Sequence, residues 1–106
     1  MKYQDLLNSY IDNPRDVHTV PLTKKTPVWF HVMVKTDTIY VGSAVEHTPS
    51  SNISSFRSLN KNEFDFMLDL YKRRMNGESV SAEAIQNTVN SVYWYGIFND
   101  LEERLK

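Results

Sequence analysis

A chain of 106 residues suits one domain of ordinary core size, and 41% hydrophobic against 24% charged residues sets it among globular rather than disordered or fibrous proteins. Twelve Lys and Arg against thirteen Asp and Glu leave a formal charge of −1, so no overall field draws the protein to nucleic acid or to an anionic membrane; such a contact needs a local patch. The absence of cysteine excludes disulfides, thiol catalysis and cysteine-based zinc sites together.

The opening MKYQDLLNSYIDN has no continuous apolar stretch of the signal-peptide kind, and no run approaches the roughly 20 apolar residues that span a bilayer. A soluble, cytoplasmic protein without membrane contact is the expectation. Tyr3, Leu6, Leu7, Tyr10 and Ile11 recur at helical spacing and predict an amphipathic helix, closed by Asp12-Asn13-Pro14 because the residue before proline is pushed out of the α region. Residues 14–27 are polar and carry Pro14, Pro21 and Pro27, which predicts an extended connector from which Val20 and Leu22 reach the core or form a short edge strand.

Residues 28–45 read VWFHVMVKTDTIYVGSAV, two apolar runs around Lys-Thr-Asp-Thr, and predict a β-hairpin in which Lys35 pairs with Thr38. Strand side chains alternate faces, so this register sets Val28, Phe30, Val32 and Val34 with Ile39, Val41, Ser43 and Val45 on a core face. The other face carries Trp29, His31, Met33 and Lys35 with Thr38, Tyr40, Gly42 and Ala44. A loop follows from Glu46 to Asn52, and residues 53–59 are assigned to a short third strand.

Asn60 with Glu63 forms a capping-box pattern, and Leu59 with Phe64 a hydrophobic staple, so a helix is expected from Lys61. Phe64, Met67, Leu68, Tyr71 and Met75 make its main stripe, Phe66 and Leu70 a second, and Gly77 its stop. A last helix is expected from near Ser81, with an early stripe of Ile85, Val89 and Val92 and a later one of Trp94, Ile97, Phe98, Leu101 and Leu105. The mismatch between those stripes places a kink at Gly96.

Little in this pattern resembles a catalytic centre. His18, His31 and His47 lack the spacing of a metal motif, no serine sits in a nucleophile elbow, and three glycines cannot make a phosphate-cradling loop, so neither a catalytic residue, a metal nor a cofactor is assigned. Asp65 and Asp69 stand one helical turn apart as a solvated face. Two surfaces remain. Ser51, Asn52, Arg57 and Lys61, leading into a helix N-terminus, with Lys72, Arg73 and Arg74 at the same helix's other end, suit nucleic acid or phosphate. His47 belongs to the same donor-rich segment as Ser51 and Asn52, and on the second hairpin face, which also carries His31, Trp29 and Tyr40 offer rings of the kind that stack bases in sheet-based single-strand binders.

The triplet Tyr40-Val41-Gly42, ten residues after Phe30 and followed by Ser43-Ala44, resembles the second motif of the GIY-YIG nucleases. The resemblance implies a two-strand core in which Tyr40 and an arginine on a following helix act on a phosphodiester; the candidate arginine, Arg57, lies far down the loop instead of on a helix soon after Gly42. Its first motif reads Val28-Trp29-Phe30 and lacks the glycine and the tyrosine.

The sequence therefore predicts an α+β domain over residues 1–106: a leading helix, a small antiparallel sheet built on the hairpin and two C-terminal helices. It reads as a non-enzymatic binding module that contacts nucleic acid through the basic and serine-rich surface. The alternative is a protein-binding or homodimeric module that uses the aromatic sheet face.

Overall fold

The computed structural model describes residues 1–22 and 25–105. Its order is α1 (Tyr3–Asp12), β1 (Arg15–His18), β2 (Trp29–Lys35), β3 (Thr38–Ser43), β4 (Arg57–Ser58), α2 (Phe64–Met75), α3 (Ser81–Asn87) and α4 (Ser91–Arg104). The four strands form one antiparallel meander in sequence order, so the α+β class and the leading helix stand as expected.

The hairpin has the expected register, with Lys35 opposite Thr38 and Phe30 opposite Ser43. Thr36 and Asp37 both take positive φ, 51° and 58°, the twist a two-residue hairpin loop needs to match its strands. Phe30, Val32, Ile39 and Val41 are fully buried on one face. Against it pack Leu6, Leu7 and Tyr10 of α1, Met67, Leu70 and Tyr71 of α2, and Trp94, Ile97, Phe98 and Leu101 of α4. Ile11 escapes the α1 stripe and is 59% exposed.

Several local expectations change. The first edge strand is Arg15–His18, not the neighbourhood of Val20 and Leu22. Val17, its single buried side chain, sits opposite Phe30 on the core face. Only Arg57–Ser58 of residues 53–59 pairs with β3. Residues 61–63 make a 3-10 turn before α2, and Asn60 accepts from the Asn62 amide at 2.9 Å. The Glu63 carboxylate does not close the capping box; it accepts from Trp94 Nε1 at 3.2 Å.

The C-terminal part is three helices rather than two. The break falls at residues 88–90, and α4 runs unbroken through Gly96. A Cβ at Gly96 would lie 2.8 Å from the His18 carbonyl oxygen and 2.9 Å from the Phe30 ring, so this glycine permits close docking of α4 on β1 and β2. With the break upstream, Ile85 and Val89 leave the core and are 76% and 83% exposed. Gly77, at φ 91°, does follow α2 as its stop.

Candidate functional site: an aspartate-anchored histidine pair on the helix-free sheet face

The aromatic run of α4 does not close over the second face of the sheet. Tyr93 meets Phe30 on the core side, ring centroids 5.0 Å apart, and Trp94 is fully buried among the helices. Trp29, His31, Met33 and Tyr40 consequently stay half-exposed. β1 adds two side chains to that face, because Asp16 pairs with His31 and His18 with Trp29.

Asp16 is the centre of the site. Its side chain is only 2% exposed, and both carboxylate oxygens are fully engaged. Oδ1 accepts from His31 Nδ1 at 2.9 Å and from the Val45 amide at 2.9 Å. Oδ2 accepts from the Glu46 amide at 2.7 Å, the His47 amide at 3.0 Å and His47 Nδ1 at 2.9 Å. Three successive amides wrapping a carboxylate form an anion nest, here occupied by the protein's own side chain. Burial alone would raise the Asp16 pKa. The donors from Val45, His47, Glu46 and His31 outweigh it and hold the carboxyl well below the ordinary range.

An ionised carboxylate only accepts, so each imidazole carries a proton on Nδ1, and Nε2 is the nitrogen left for other contacts. Such a nitrogen, where unprotonated, can accept a hydrogen bond. His47 lies parallel on the Trp29 indole, ring centroids 4.0 Å apart, and His18 meets that indole edge-on at 5.2 Å. The loop is pinned to β2 as Trp29 N donates to the Pro49 carbonyl and Ser51 N to the Trp29 carbonyl, each at 2.8 Å.

A cleft of about 530 Å3 opens here, walled by Asp16, His18, Trp29, His31 and His47 on one side and by Asn99, Asp100, Glu103 and Arg104 of α4 on the other. Asp100 is bridged by Arg15 at 2.5 Å and accepts from the Tyr10 hydroxyl at 2.8 Å, which fixes that wall. Along the same sheet face, Met33, Lys35, Tyr40 and Phe56 line a shallower hollow of about 250 Å3. A Cβ at Gly42 would lie 2.7 Å from Phe56, so the glycine lets that ring rest on the sheet beside His31.

Of the residues singled out in the sequence, Trp29, His31 and His47 thus come together, with Tyr40 further along the face. Ser51 contributes the backbone contact above, and Asn52 is exposed beside it. The basic residues are engaged elsewhere. Arg57 donates to Asn90 Oδ1 at 3.0 Å on the helix side of the sheet. Lys61 sits over the Tyr3 ring at 5.4 Å. Arg73 bridges Asp69, Glu78 and Glu83, while Arg74 lies over Tyr95 and donates to the Val20 carbonyl. Lys72 is exposed. Arg57 pairs with Val41 and Tyr40 with Ser58, so Arg57 and Tyr40 leave the sheet on opposite faces.

Sequence reasoning passed over Asp16 and did not assign His18 to a site. Their signal was the alternation Arg15-Asp16-Val17-His18, but a single apolar residue is too little to mark a strand. Among the described residues no three His, Asp or Glu side chains are grouped to hold a metal ion, and no helix is long and apolar enough to cross a membrane. Comparison with protein-family models, with curated proteins and with solved structures finds no significant match to this chain.

Proposed function

We propose that the protein is a binding module that takes single-stranded nucleic acid on the helix-free face of its sheet, gripping bases through rings more than phosphates through cations. One observation carries this: Trp29, His47, His31, Phe56 and Tyr40 make a contiguous, partly exposed strip of rings that leads into the cleft. Stacking on such rings contributes about 1–3 kcal/mol per base and tolerates any sequence. The Nε2 atoms of His31 and His47 add directional contacts to base edges.

Charge argues for rings over phosphates. The cleft holds Arg15 and Arg104 against Asp16, Glu46, Asp100 and Glu103, and Lys35 is the cation placed beside Tyr40 on the strip. Neutralising about one phosphate gives a shallow salt slope, near −0.7 in log K per log salt. The test is a fluorescence titration with oligothymidylate at two salt concentrations. Trp94 is fully buried and Trp29 is not, so quenching reports the strip. Saturable quenching with a shallow salt slope, lost in Tyr40→Ala with Phe56→Ala, is expected; no binding at low salt would sink the proposal.

A second reading uses the same strip as a contact between protein chains, the homodimer included. Phe56 and Val45, 50% and 68% exposed beside it, favour that use. Light scattering separates the two, since a monomer at high concentration counts against self-association.

A further inference from the structure

A second cavity, of about 270 Å3, lies between residues 19–21, the last turn of α2 and the first turns of α4, and it shares no lining residue with the cleft. Two polar atoms in its wall are buried and lack a hydrogen-bond partner among the described residues: Arg74 Nη1 and the Tyr95 hydroxyl. Tyr95 is only 6% exposed, and the Arg74 guanidinium lies over its ring at 4.6 Å, so the two side chains carrying the orphan atoms are in contact. Arg74 is held there by its other nitrogen, Nη2, which donates to the Val20 carbonyl at 2.6 Å.

Leaving such groups unpaired costs about 1–3 kcal/mol each, more where charge is involved, so a buried pair of idle donors calls for a partner. Both can donate, and Nη1 can do nothing else. The complementary group is therefore an acceptor with negative charge. One negative charge matches Arg74: Arg73, the next residue, is already taken up by Glu78 and Glu83, and the adjoining groove carries Lys25 as well as Glu78. Val20, Pro21, Val28 and Val92 give the cavity apolar walls, and Thr19 and Ser51 complete its lining. The cavity runs into a groove of about 650 Å3 that shares Arg74, Val92 and Tyr95 and continues past Leu22 and Ile85, which are 68% and 76% exposed.

The geometry points to a binding site for an aliphatic carboxylate, its head accepting from Arg74 Nη1 and the Tyr95 hydroxyl and its tail lying along Val92 and Ile85. The site is independent of the ring strip. A free alkyl carboxylate and the apolar C-terminus of a peptide present the same chemistry, and the probes tell them apart.

The experiment titrates the full chain with octanoate, octan-1-ol, acetate, N-acetyl-trileucine and its C-terminal amide, followed by amide and arginine side-chain NMR shifts. Saturation by octanoate centred on Arg74 and Val92 is expected, with octan-1-ol and acetate at least about tenfold weaker, since each loses the charged contact or the tail. Trileucine binding as tightly as octanoate, with its amide weaker, assigns the site to a peptide terminus; the reverse order assigns it to the free acid. Tyr95→Phe should weaken octanoate about tenfold while leaving the ligand-free melting temperature equal or higher, because an idle buried hydroxyl is removed. Three results overturn the inference: octan-1-ol binding as well as octanoate, Tyr95→Phe leaving the affinity unchanged, or Tyr95→Phe lowering the ligand-free melting temperature, which would show that the hydroxyl already has a partner.

Discussion

Replacing Asp16 by asparagine changes one atom and separates the anchoring of the histidine pair from everything else in the fold. The amide has one oxygen where the carboxylate has two. Placed at the Oδ2 position it keeps three of the donors and turns its NH2 toward His31 Nδ1 and the Val45 amide; placed at Oδ1 it keeps two and faces three. The better orientation thus loses two hydrogen bonds to a charged acceptor, about 1.5–3 kcal/mol each. Val45 is exposed and its amide can rehydrate when the loop opens, which favours the lower end. A loss of about 3 kcal/mol follows for Asp16→Asn, roughly 15 °C in melting temperature for a domain of this size.

The pH dependence of that loss is fixed in sign. Asp16 has a folded pKa below its unfolded one. It therefore adds stability above the unfolded value, near 3.9, and surrenders it as the pH falls through the folded value. Urea unfolding of both proteins should show the full difference from about pH 5 upward and a narrowing gap below about pH 4. A difference under about 1 kcal/mol at neutral pH, or a gap that widens in acid, would refute the anchoring argument.

Gly96→Ala should cost about 2 kcal/mol although alanine is the better helix former, because its Cβ meets the His18 carbonyl and the buried Phe30 ring; a stabilised variant in thermal unfolding would place α4 elsewhere. Gly42→Ala meets only the movable Phe56 ring, so a loss of about 1 kcal/mol or less is expected, with Phe56 displaced and binding at the strip weakened. Glu63→Ala strands the Trp94 indole N–H in the core and should cost about 1–3 kcal/mol, whereas Glu63→Gln keeps an acceptor and should cost less. Val89→Ser, at a fully solvated position between α3 and α4, should change stability by no more than about 0.5 kcal/mol.

The hairpin was legible because its register follows from a two-residue turn and an unbroken alternation, both local features. The same alternation separated the Val-rich core face from the Trp29, His31, Met33 and Tyr40 face before any coordinates. β1 was not legible, since a four-residue edge strand hidden between prolines borrows its stability from β2 rather than from its own composition. The Asp16 cluster was invisible for a related reason: its bonds to His31, Val45, Glu46 and His47 span 15 to 31 residues, and nothing at those positions announces the meeting. A glycine in a helical pattern marks either flexibility or close approach, and the docking of α4 against His18 and Phe30 shows the close approach that Gly96 permits, while the break between helices lies upstream. The basic residues looked available in the sequence, yet each of Arg57, Lys61, Arg73 and Arg74 has a tertiary or helix-end partner.

The central claim is that a ligand seats on the helix-free face over the Asp16-anchored imidazoles. The most direct measurement is a two-dimensional NMR titration of the side chains, with oligothymidylate added to protein labelled in its histidine, tryptophan and arginine nitrogens. The account predicts saturable shifts at the Trp29 indole N–H and at Nε2 of His31 and His47, with the Trp94 indole and the Arg57 and Arg73 guanidinium signals unmoved. Shifts confined to the arginines, or no shift at any of the three rings, would contradict it.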